Sequence, residues 1–127
     1  MSTSDQEGRL YTVEEANAAL ARLRDALARI REARREVLRS GQRVGARARA
    51  DGGGSEGTAY LEALSVLREE VESLAADDII LRDADSGLVD FPSVREGRLV
   101  QLCWRLGEDR VEHWHEVDAG FQARKPL

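Results

Sequence analysis

The sequence predicts an α+β protein, in which a long antiparallel helical hairpin packs on a small C-terminal antiparallel sheet, a meander. Three observations predict it. Two stretches, 13–37 and 60–74, carry apolar residues at alternating steps of three and four, with a Gly-rich run between them. After Asp78 the apolar period falls to two, and turn residues recur at short intervals. Finally, both tryptophans, both histidines, both phenylalanines and the only cysteine crowd into Gly87–Phe121. The few large side chains that can anchor a core or carry chemistry therefore sit together.

Each element follows from local residues. Residues 1–9 are polar and read as a flexible tail. Thr12-Val13-Glu14-Glu15 matches a capping box and starts a helix. Val13, Ala16, Leu20, Leu23, Leu27, Ile30 and Val37 form its seam, interrupted by Arg34. Arg34 is expected to turn its head group toward an acid of the second helix, Glu69 or Glu70. Gly41, Gly45 and Asp51-Gly52-Gly53-Gly54-Ser55 place a Gly-rich loop at about 41–57. The second helix runs from about Thr58 to Ala76 on Tyr60, Leu64, Leu67, Val71 and Leu74. From Arg22 to Arg49 there are ten arginines against three acids, and from Asp51 to Asp78 eight acids against one arginine. That complementarity favours pairing the two helices.

Ile79-Ile80-Leu81 then opens the sheet region, 79–121, and Asp85-Ser86-Gly87 is a turn. Leu88 to Phe91 is a strand that Pro92 ends or confines to an edge. Glu96-Gly97 turns into the alternating run Arg98–Leu106, and Gly107–Arg110 turns into Val111–Val117. With Glu108 and Asp109 at the centre of that last turn, Leu106 pairs with Val111, Trp104 with His113, Leu102 with His115 and Val100 with Val117. The helix-facing side would then hold Val100, Leu102, Trp104, His113 and His115. Cys103 and Trp114 would face the other way, and Arg105 would pair with Glu112.

Composition narrows the function classes. At 127 residues with 34% charged and 42% hydrophobic residues, the chain reads as a single domain with a core of its own. A net charge of −5 argues against nucleic acid as a general partner. A lone cysteine makes no intramolecular disulfide, and the N-terminal residues lack a signal-like or membrane-length apolar run. A cytoplasmic protein with no membrane partner is expected. No nucleophile elbow surrounds Ser86 or Ser93, and no phosphate-loop lysine follows Gly52-Gly53-Gly54. Catalysis has no candidate residue.

Two chemical readings remain for the last hairpin. His113 and His115, two apart on one strand, share a face and have a spacing that metals use. Cys103, pointing away from them in this register, cannot join unless a bulge reverses it. His115 with Asp118 is expected to line a pocket between the last strand and the helices, fit for a divalent metal or an anionic ligand. Asp83, Asp85 and Asp90 offer oxygens to a hard cation, although they also suit turns and strand ends. The plainer alternative makes the histidines half-buried hydrogen-bonding residues, Cys103 an inert hydrophobe, and Trp104, Trp114, Phe91 and Phe121 structural anchors.

GLVDFP, EGR, LCWRLGE, WHEVDAGF and the closing Arg-Lys-Pro-Leu, with the opening LYTVEEANAALARLR, resemble a family of small bacterial proteins classed as a domain of unknown function, DUF2203. The resemblance covers nearly the whole chain. It carries no established activity, and its pattern falls on Gly87, Asp90, Phe91, Pro92, Gly97, Cys103, Trp104, Gly107, Glu108, Trp114, His115, Asp118, Gly120 and Phe121. The family often has another residue where this chain has His113. The candidate ligands are then His115, Asp118, His113, Cys103, Glu108 and Asp90. Three function classes follow: an interaction module that dimerises or binds a helical partner through the hairpin, a metal- or small-ligand-binding protein, and, ranked last, an enzyme.

Overall fold

The computed structural model describes residues 8–50 and 55–127, with side chains outside 44–56. Thr12 caps the first helix, α1 (Val13–Ala18), in a capping box: its hydroxyl accepts from the Glu15 N–H, and the Glu15 carboxylate accepts from the Thr12 N–H. After a slight break at Ala19 the chain continues as α2 (Leu20–Ala50). It returns in α3 (Ser55–Ala76). The helix therefore runs through Gly41 and Gly45, which the sequence places in the loop, while residues 51–54 of that loop lie outside the described ones. At Gly41 the helix gains closeness instead: a Cβ there would sit 3.3 Å from the Tyr60 ring. Within the expected tail, Gly8 and Arg9 are tied to the hairpin, since the Arg9 N–H donates to Asp78 at 2.8 Å. Residues 1–7 lie outside the described ones.

α3 ends in a Schellman motif. Ile79 donates to the Leu74 carbonyl and Asp78 to that of Ala75, with Asp78 at φ 60°. Then β1 (Ile80–Asp83), β2 (Leu88–Arg95), β3 (Arg98–Arg105), β4 (His113–Glu116) and β5 (Lys125–Pro126) form one antiparallel sheet in chain order, a meander. Glu96 and Gly97, both at positive φ, make the two-residue turn from β2 to β3. β2 does not stop at Pro92. Its β1 neighbour covers only Leu88–Asp90, so the missing proline N–H faces no strand, and the Pro92 carbonyl accepts from Tyr11 instead.

The core lies between the hairpin and one face of the sheet. Leu20, Leu23, Leu27 and Ile30 pack with Leu74, Val89, Phe91, Val100, Leu102 and Trp104 in one buried cluster. Arg29 pairs with Glu70 and Arg22 with Asp77 across the hairpin. Arg34 goes elsewhere, reaching down to Asp85 in the β1–β2 turn at 2.6 Å. Among the described helices none is long and apolar enough to cross a membrane.

The β3–β4 register differs by one residue from the sequence expectation. Val100 pairs with Glu116, Gln101 with His115, Leu102 with Trp114 and Cys103 with His113. The cause lies in the loop. Glu108 takes the strand's place, its N–H donating to the Arg105 carbonyl and its carboxylate accepting from the Arg105 N–H. The Trp104 indole donates to the Glu108 carbonyl, and Val111 leaves the sheet to be held by Asn17 on α1. A shift of one residue turns every β4 side chain over. Trp114 therefore joins Leu102 on the helix side, the two histidines join Cys103 on the other, and no Arg105–Glu112 pair forms.

Candidate metal centre

The sheet face turned away from the helices is polar where it should be costly to be so. Cross-strand pairing puts Asp90 of β2 beside Cys103 of β3, with Gln101 beside His115 of β4. Asp90 and Cys103 are 1% exposed and His115 is 2% exposed. One donor atom from each, a carboxylate oxygen, Sγ and an imidazole nitrogen, lie within 4.8 Å of one another.

Hydrogen bonds orient the group. His115 Nδ1 donates to the Glu116 carbonyl at 2.7 Å, which fixes the ring. Its Nε2 lies 3.0 Å from Asp90 Oδ2, within hydrogen-bond distance. Arg82 Nε donates to the same Oδ2 at 2.7 Å. Asp90 Oδ1, in contrast, is buried without a hydrogen-bond partner among the described residues, as are Gln101 Oε1 and His113 Nδ1. These three atoms belong to residues of one sheet face. Buried polar atoms left unpaired cost about 1–3 kcal/mol each.

A loop closes over the centre. Between β4 and β5 the chain runs through a 3-10 turn (Phe121–Ala123). Phe121 lies against the guanidinium groups of Arg105 and Arg124, at 4.9 and 4.2 Å from its ring centroid. Arg124 makes two bonds to the Glu108 carboxylate, 2.5 and 3.2 Å, and approaches Cys103 Sγ at 4.0 Å. Burial works against the charge on Glu108, but the Arg124 and Arg105 hydrogen bonds prevail and hold its carboxyl below the usual range. Burial first, and then Asp90, push the Cys103 thiol up to about 11.

That thiol is 1% exposed, so a substrate does not reach it in this conformation. His115, engaged at both nitrogens, is not placed to activate it either, so the arrangement does not fit cysteine catalysis. It fits coordination. The nitrogen, sulfur and oxygen donors suit a borderline divalent ion, and a carbonyl behind the histidine is the usual support for a metal-bound imidazole.

Of the residues the sequence nominates, Asp90, Cys103 and His115 come together. His113 lies next to Cys103 across the strand pair, and Glu108 latches the loop above. Asp118 is exposed in the turn after β4 and takes no part, and His115 faces away from the helices, not toward them. The sequence reading misses Arg82, Gln101 and Arg124. Arg82 was accessible to it, since β1 alternation from Ile80 sets Ile80 and Arg82 on one face. Phe91 and Trp104 are fully buried and Trp114 is 7% exposed, whereas Phe121 lies outside the core on the outer face.

Fold and site together define a small α+β protein with a mixed-donor polar centre sealed beneath a loop. The chain belongs to the DUF2203 family, described as an uncharacterised conserved protein, whose model matches residues 9–127. No curated protein and no solved structure matches it significantly.

Proposed function

We propose that the protein binds a zinc-like divalent transition-metal ion through Asp90, Cys103 and His115. The observation that carries this reading is the buried, unpaired Asp90 Oδ1 beside two further donor atoms within 4.8 Å. Arg82 engages only Oδ2, which leaves Oδ1 for an ion. Asp90 Oδ1, His115 Nε2 and the Cys103 sulfur would hold the ion, the sulfur as its thiolate, so that binding would release a proton from Cys103. Titration of zinc and cobalt into chelator-stripped protein tests it. One equivalent is expected to raise Tm, and cobalt to give thiolate-to-metal absorption that Cys103→Ser abolishes. Asp90→Asn and His115→Gln are expected to remove the Tm rise. If neither ion shifts Tm and cobalt gives no such band, the cluster is a structural hydrogen-bond network.

A second reading concerns the hairpin and is supported by its reach. The 31 residues of α2 span roughly 46 Å, against roughly 26 Å for an eight-residue strand. Beyond the sheet, Leu38 is 55% and Leu61 65% exposed. Leu38 lies one turn past Arg34, on the side that reaches toward the sheet. The occupant we infer is a second copy of the chain, because two-fold pairing lays the basic α2 of one protomer over the acidic α3 of the other. Sedimentation at micromolar protein is expected to show a dimer that Leu38→Glu with Leu61→Glu dissociates. A wild-type monomer throughout that range removes this reading.

A further inference from the structure

We infer that residues Val117–Arg124 form a flap whose local opening admits the ion, and that the Glu108–Arg124 pair is its latch. This rests on the outer-face centre being the binding site.

The path of the chain makes the case. β4 ends at Glu116, opposite Val100, while Gly120–Ala123 lie beside Leu88 and Arg105 at the far end of β2 and β3. The loop therefore crosses the rows that hold Asp90, Cys103 and His115. Those three are at most 2% exposed although they stand on the face that the helices leave open. An ion cannot reach them while the loop is down.

The flap is lightly held. Its 3-10 turn buries no residue. Among the described residues its backbone hydrogen bonds, Ala119 to Glu116, Ala123 to Gly120 and Arg124 to Phe121, stay inside the loop and its hinge. What ties it to the sheet is side-chain chemistry: Arg124 on Glu108, and Phe121 beneath Arg105. Segments with few buried contacts open locally at a small fraction of the global free energy. Both ends are anchored by other means, since β4 pairs with β3, and Lys125 and Pro126 pair with Trp114 and His113. The loop can lift without unfolding the sheet.

Cys103 is the only cysteine, so its reaction with a disulfide reagent such as DTNB reports opening directly, and without metal. Wild-type protein is expected to label at least about tenfold more slowly than Glu108→Gln, Arg124→Gln and Phe121→Ala. Leu27→Ala, on the buried helix face, serves as the control for global unfolding. It is expected to lower Tm more than the flap variants do, yet to leave the labelling rate in native buffer near the wild-type value. If Leu27→Ala accelerates labelling more than the flap variants, exposure occurs through global unfolding and the flap is overturned. If the flap variants label at the wild-type rate, the latch is overturned. Zinc is expected to slow labelling of wild type. Labelling that follows the flap variants while zinc changes neither rate nor Tm supports the flap and overturns the ion reading, so the two fail separately.

Discussion

The helix-facing side of the sheet presents Val89, Phe91, Val100, Leu102 and Trp104, all at most 2% exposed, while the opposite side buries Asp90, Cys103 and His115 as deeply. The depths match but the covers do not. A helical hairpin with its own apolar seam closes the first side, and a short loop with no buried residue in its 3-10 turn closes the second. Apolar surface gains free energy under any close-fitting cover. Polar groups gain it only where each donor and acceptor is matched, and on this side three buried atoms are not. The helix side carries the apolar burial, and the outer side keeps buried polar groups at some cost.

Asp90 and Phe91 are adjacent on β2 but face opposite ways. Phe91→Ala removes a fully buried ring that packs edge-on against Tyr11, with centroids 5.1 Å apart. Its expected cost is about 3–5 kcal/mol, measured by denaturant unfolding with or without zinc. Asp90→Asn keeps the shape and is expected to cost about 1–3 kcal/mol, from weakened bonds to Arg82 and His115. The metal response separates them. Phe91→Ala that still folds is expected to be stabilised by zinc, and Asp90→Asn is not. An equal zinc response in both would show that the outer face holds no ion.

The two sides also differ in how far the sequence exposes them. The helix seam at Leu20, Leu23, Leu27 and Ile30 is legible because burial has the helix period, and all four are buried. The capping box at Thr12 is legible because it is local. The β3–β4 register is not, because it is set by long-range bonds. Val111 is drawn off the strand by Asn17, 94 positions away, and the Glu108 side chain stands in for a strand partner. Alternation over Val111–Val117 reads either way, and the two valines favour the wrong parity. The indole of Trp114 favours the observed one, since large aromatic side chains dominate the burial of a core. With the register goes the site: one residue of shift decides whether Cys103 meets the histidines. Gly41 misleads in the opposite sense, because propensity marks a helix end where close packing against Tyr60 keeps the helix going.

Acid sharpens the contrast, since the apolar cover does not titrate and the latch does. The Glu108 carboxyl sits below its ordinary value in the folded protein. A lowered carboxyl stabilises fully above its unfolded value of about 4.3, and that contribution is lost as pH falls through the lower folded value. The partly exposed pair contributes up to about 1 kcal/mol. Glu108→Gln is therefore expected to lower Tm by a few degrees near neutral pH and by nothing once pH drops below the folded value. Thermal melts of both proteins from acid to neutral pH check this. A gap that persists unchanged into acid would mean the Glu108 contribution is packing and not charge.

The smallest effect belongs to Arg34, which stands in the helix seam but sends its guanidinium to Asp85 at the far turn of the sheet. It is the one described ion pair that ties α2 to the β1–β2 turn, so it samples the boundary between the well-covered side and the open hairpin. Its partners are 43% and 72% exposed, and pairs of that kind contribute between nothing and about 1 kcal/mol. Arg34→Leu loses that contact and gains apolar surface beside Ile30 and Val37. The two terms are of similar size, and the expected change is within about 0.5 kcal/mol either way. Asp85→Ala is expected to be equally quiet. A loss of several degrees in Arg34→Leu but not in Asp85→Ala would show that the arginine stem packs under the hairpin, and that the helix side extends further along α2 than the core cluster does.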